Sequence, residues 1–222
     1  MKAHRHTLGH EHDHEPQHGL PEALPANERI LWQGSPDWRS LARHAFHLRK
    51  IAFYFAALLV LRGAFAWGDG GLLPALKAMA MALPLVLLSL GGLALVAWLA
   101  ARNAVYTVTD RRIVMRIGIV LTLAFNLPLG RIVSAGLREY PDGSGDIPLA
   151  LTQTDKIAWL HLWPHARPFR LVRPEPMLRS VPQAAQVARV ITAAWSASTG
   201  GAAAPESTPR VARRPQAVLA TR

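Results

Sequence analysis

Residues 78–101 form an uncharged run of 24 residues, and no other stretch limits the fold as strongly. As a helix rising ~1.5 Å per residue it would cover about 36 Å, more than the ~30 Å hydrocarbon layer of a bilayer. It therefore reads as a transmembrane helix, with Pro84 and the pair Gly91-Gly92 allowing a bend or a close helix contact. A second apolar run occupies residues 51–67, broken only by Arg62. At about 25 Å it is slightly short, so flanking residues must complete the crossing. Arg62 lies near its far end, where it either snorkels to the opposite headgroups or faces a partner. Gly68-Asp69-Gly70-Gly71 reads as the turn of a helical hairpin over residues 51–102.

Basic residues orient the hairpin. Arg39, Arg43, Arg49 and Lys50 precede it and Arg102, Arg111, Arg112 and Arg116 follow it, whereas only Arg62 and Lys77 lie between. That asymmetry predicts a multi-pass protein of the cytoplasmic membrane with both termini and the soluble part on the cytoplasmic side. Arg49, Lys50, Arg102, Arg111, Arg112 and Arg116 are the candidates for contact with anionic headgroups, a contact that salt would weaken. The net charge of +11 could also suit nucleic acid, but the apolar runs favour membrane lipid, and no nucleic-acid partner is expected.

Ahead of the hairpin, residues 1–19 read as a disordered tail carrying His4, His6, His10, His12 and His14 among acidic residues. Neutral imidazoles in such tracts can take Zn, Ni or Cu, which makes these histidines weak metal-ligand candidates beside the reading of a solvated tail. Residues 20–50 form a lead-in, with a short strand over residues 30–33 and an amphipathic helix over residues 37–50. Trp38, Leu41, Ala42, Ala45, Phe46 and Leu48 alternate there with cations, a pattern that suits the headgroup region.

Downstream, residues 103–198 read as a β-domain. Val105-Tyr106-Thr107-Val108-Thr109, a polar corner at Asp110-Arg111, and Ile113 to Ile117 predict a tight hairpin. The next apolar stretch alternates Leu121, Leu123, Phe125, Leu127 and Leu129 with Thr122, Ala124, Asn126 and Pro128. That period of two predicts a strand in place of a third membrane span. Further strands are expected over residues 131–140, 146–153 and 157–163, with a short one at 169–172. Asp142, Asp146 and Asp155 are assigned to turns, where Asp is common for backbone reasons. Residues 182–197 read as an amphipathic helix with Pro182 in its first turn, and residues 199–222 as a second disordered tail. The fold class expected is mainly β plus membrane helices: a transmembrane hairpin, then an antiparallel barrel or sandwich capped by a C-terminal helix.

The run Tyr106-Thr107-Val108-Thr109-Asp110-Arg111-Arg112-Ile113, followed by Gly118 and Arg131-Ile132, resembles bacterial pleckstrin-homology-like domains found beside paired membrane spans. That resemblance implies a barrel of about seven strands closed by one helix. Leu20-Pro21-Glu22, the segment from Glu28 to Pro36, Trp159-Leu160-His161-Leu162-Trp163-Pro164-His165-Ala166-Arg167-Pro168, and the segment from Arg173 to Arg179 are similar to the PuhB-type photosynthetic complex assembly proteins of purple bacteria. The similarity covers about residues 20–197 and implies a membrane-anchored assembly factor that binds reaction-centre or core antenna subunits. It implies no enzyme and no cofactor. The same resemblance is often drawn with three spans, a count from which the period-two pattern departs.

The chain has no cysteine, so thiolate catalysis, disulfides and Cys-ligated metals are excluded. Gly143-Ser144-Gly145 lacks the third glycine and the following helix of a dinucleotide site. Surfaces are the better candidates: Trp159, His161, Trp163, His165, Arg167 and Arg170 combine aromatic anchors with cations, as interface hot spots do, although the aromatics could equally fill the core. The expected partners are reaction-centre or antenna subunits and membrane lipid, with a second copy of the chain kept as a candidate. A generic membrane-anchored lipid- or peptide-binding module and a His-rich metal-binding membrane protein remain the alternatives.

Overall fold

In the computed structural model, residues 19–20, 22–119, 121–152 and 158–200 are described. The histidine candidates His4, His6, His10, His12 and His14 and the corner at 154–156 lie outside them.

Two long helices carry the apolar runs. Helix α2 spans Leu48–Gly70 (23 residues) and helix α3 spans Leu72–Arg102 (31 residues). Both are long and apolar enough to cross a membrane. The Gly68-Asp69-Gly70 segment continues α2, so the expected turn contracts to Gly71, whose φ of +80° suits a residue without a Cβ. Arg62 points to its neighbour: its Nε donates to the Ala78 carbonyl of α3 at 3.1 Å. At ~1.5 Å per residue α3 is about 46 Å long, so roughly ten residues exceed the hydrocarbon thickness. Its C-terminal end is where Ala97, Ala100 and Ala101 become buried. Ala100 and Ala101 pack there with Leu41 of α1 (Trp38–His44), flanked by Phe46 and Ile119. The amphipathic helix is thus shorter than expected. Asp37 caps α1 by accepting from the Ser40 N–H at 2.8 Å, and His47 breaks the chain in the left-handed region (φ +53°) before α2 starts.

Among the described residues eight strands form. Strands β1 (Ile30–Gly34), β2 (Val105–Thr109), β3 (Arg112–Ile117) and β4 (Leu123–Pro128) make one antiparallel sheet in chain order. Strand β1 comes from the lead-in, so the helical hairpin is inserted between the first two strands of the sheet. The apolar stretch after β3 is strand, with Phe125 opposite Met115 and Leu127 opposite Ile113. Gly118 (φ +137°) turns the chain between β3 and β4; a Cβ there would collide with the Leu121 carbonyl.

The second sheet centres on β7 (Gly145–Leu151). Strands β5 (Ile132–Ala135) and β6 (Arg138–Glu139) pair with successive parts of one edge of β7, and β8 (Met177–Val181) pairs with the other. Counting β5 and β6 as one interrupted strand gives seven strand positions around one core. Helix α5 (Ala184–Ser198) buries Val187, Ile191 and Ala194 against that core, at helical spacing, and buries Ala184 at its start. Pro182 stands before the helix, not within its first turn: Gln183, in the left-handed region at φ +52°, is the N-cap.

Three further expectations are corrected. Residues 158–163 are not a strand: Ala158 caps a single helical turn, α4 (Trp159–Leu162), which buries Leu162 and exposes Leu160. Alternating aromatics imitated a strand here, but Pro164 lacks the N–H a ladder requires. Residues 169–172 make no ladder; they form a turn whose side chains face outward. Asp146 lies in β7, 5 % exposed, not in a turn.

Candidate interaction surface

The barrel is fastened to α1 by polar groups. The Asp37 N–H donates to the Ser180 carbonyl at 2.8 Å, and the hydroxyls of Ser40 and Ser144 lie 2.6 Å apart in a buried contact. Asp146, on the neighbouring strand, accepts from the Tyr140 hydroxyl at 2.6 Å and the Ser180 N–H at 2.9 Å. On the outer side His44 stacks on Tyr140 with ring centroids 3.6 Å apart. These contacts set how the β-domain stands on the ends of the long helices.

A buried polar cluster lies behind the Trp159–Arg170 segment. Tyr106 in β2 and His165, 1 % exposed, approach at 2.6 Å between the hydroxyl and Nδ1. The same hydroxyl accepts the Arg179 N–H at 3.2 Å, the direction of the Tyr106–His165 bond depends on the ring tautomer, and His165 Nε2 is buried without a partner. Arg179 in turn donates from Nη1 to the Pro164 carbonyl at 2.9 Å. Burial pushes the Tyr106 hydroxyl up, and burial with the Arg179 charge pushes His165 down to about 3. Both are therefore neutral at physiological pH, and the pair joins β2 to the α4–β8 segment without exchanging protons.

This burial makes stability fall in mild acid. The unfolded chain binds a proton at His165 below the ordinary histidine value, whereas the folded chain does not until about pH 3. Stability is complete above about pH 6.5 and drops by up to about 1.4 kcal/mol per pH unit as pH falls toward 4. His44 is shifted the same way by burial and adds to the slope. Denaturant midpoints measured between pH 7 and 4.5 check this, and His165→Asn, with no titrating ring, should flatten the profile.

The sequence-predicted surface residues split into two groups. Trp159 packs against the core and His165 is inside it. His161 and Trp163 face out, and Trp163 meets Phe46 edge-on at 5.6 Å between centroids. Arg167 and Arg170 both pair with Glu175, at 2.6 and 3.6 Å. Among the membrane-surface candidates, Arg49 lies over Phe53 and Arg102 over Trp98, while Lys50 and Arg111 are exposed and Arg116 is half-buried. Arg112 is committed to an ion pair with buried Glu28 at 2.8 Å, which also takes the Thr109 hydroxyl proton. Sequence reasoning missed the roles of Tyr106, Asp146, Arg179 and Glu28; each has at least one partner 34 or more positions away, which no local pattern reports. Among the described residues no group of three or more His, Asp or Glu side chains could hold a metal ion.

Residues 51–195 match the family model described as "Bacterial PH domain". The chain is also 37% identical over 190 residues to an uncharacterized 23.7 kDa protein in the puhA 5′ region of Rhodobacter capsulatus, covering 85% of this chain and 89% of that one. No solved structure matches the chain.

Proposed function

The chain belongs to the bacterial PH-domain family, and on that premise we propose that it is a membrane-anchored assembly factor for the photosynthetic reaction centre and core antenna of purple bacteria. The observation that carries this reading is the extended similarity to a protein in the puhA 5′ region of Rhodobacter capsulatus. Helices α2 and α3 hold the protein in the cytoplasmic membrane, with the β-domain on the cytoplasmic side. It works by binding, not by catalysis: the outward residues His161 and Trp163, beside the entrance of α2, receive reaction-centre or antenna polypeptides as they insert. The similarity to PuhB-type proteins noted from the Trp159–Pro168 segment agrees with this role.

Affinity capture of the full chain from detergent-solubilised photosynthetic membranes tests it. Reaction-centre or core antenna polypeptides should co-purify, and Trp163→Ala should reduce their recovery at unchanged levels of the bait. Recovery of lipid but no photosynthetic polypeptide would leave only a generic lipid-binding module.

A further inference from the structure

The segment from Arg167 to Glu175 is a closed loop. The bridge between Ala166 and Pro176, the Arg167 N–H donating to the Glu175 carbonyl at 2.9 Å, and the Arg167–Glu175 ion pair hold its base. Its tip presents Phe169 (99 % exposed), Leu171 (65 %) and Val172 (94 %), with Arg170 and Arg173 between and beside them. Phe169 adopts φ +62°, a region a bulky side chain rarely takes, and its ring is left out of the core. Folding alone thus gives no reason for an aromatic residue there.

The loop's place tells what it meets. Trp163, three residues before the bridge, packs on Phe46, and Phe46 stands two residues before α2 begins. Six residues separate Trp163 from Phe169, at most about 20 Å of extended chain, so the tip lies within that distance of the layer where α2 enters the apolar phase. Exposed Leu160 stands three residues before Trp163, and exposed Leu121 stands two residues after Ile119, which packs like Phe46 on the cluster of Leu41, Ala100 and Ala101. Apolar side chains interleaved with arginines, three against one glutamate, match a surface that is apolar below and anionic above.

We propose that the Phe169–Val172 tip inserts into the anionic headgroup layer of the same bilayer that holds α2 and α3, fixing the tilt of the β-domain on the membrane. This rests on the membrane-spanning reading of those helices. The absence of cysteine allows single-site labelling without background. The full-length chain, carrying Phe169→Cys, Val133→Cys on exposed β5, or Leu88→Cys in mid-α3, is labelled with an environment-sensitive fluorophore. It is reconstituted in nanodiscs of phosphatidylcholine with phosphatidylglycerol. A lipid spin-labelled near the headgroup should quench the label at 169 about twofold and leave that at 133 unchanged, with weaker quenching at 169 in phosphatidylcholine alone. Iodide should quench the reverse set. Immersion at 88 with the label at 169 as open to iodide as that at 133 would overturn the proposal. So would protection at 169 that appears only on adding a protein partner. A label at 88 open to iodide would overturn the spanning reading itself.

Discussion

Replacing Asp146 by alanine is expected to lower the stability of the protein by about 3 kcal/mol. The carboxylate is buried and holds two donors, the Tyr140 hydroxyl and the Ser180 N–H, which alanine leaves without a partner. Each charge-assisted hydrogen bond is worth roughly 1.5–3 kcal/mol, and relief of the buried charge offsets part of the loss. For a chain of this size that corresponds to a fall of about 6–12 °C in melting temperature. Asp146→Asn keeps an acceptor for Ser180 and should cost roughly half as much. The damage reaches beyond the strand: the Ser180 carbonyl accepts from Asp37, which caps α1, and α1 packs on the end of α3. Thermal unfolding of the full chain in detergent, followed by near-ultraviolet circular dichroism, checks the expectation. A melting temperature within 2 °C of the parent protein's would show that the β-domain is held to the helices by other contacts.

Removing the protein from its host is expected to have the larger biological effect. On the proposed function the protein acts on subunits before they are locked together, so its loss should deplete finished reaction centres while leaving pigment synthesis intact. The β-domain alone should not rescue the defect, because binding to a membrane subunit gains from confinement to the same bilayer. A chain with Trp163→Ala should rescue only in part.

The two long helices and the strand character of the stretch after β3 were legible because period and length are local properties. The run of 24 uncharged residues and the two-residue alternation from Leu121 to Leu129 each admit one simple reading. The errors have equally local causes. Trp159, His161 and Trp163 alternate like a strand, yet the turn at α4 is decided by burial of Leu162 and by Pro164. Asp146 beside Gly143-Ser144-Gly145 looks like a turn residue, and only the approach of Ser180, 34 positions later, reveals a buried acceptor. The insertion of the hairpin between β1 and β2 was hidden too, since five residues of strand say nothing about partners 72 to 79 positions away. Strand β8, which follows the candidate surface, was not expected from the sequence, and neither was the inward turn of Trp159 and His165.

The most direct measurement is the reaction-centre content of membranes from a clean deletion strain, set against total bacteriochlorophyll synthesis and restored by the full-length gene. A severalfold loss of reaction centres with pigment synthesis maintained is expected, reversed by the complete chain but not by the β-domain without α2 and α3. Normal reaction-centre content in the deletion strain would contradict it.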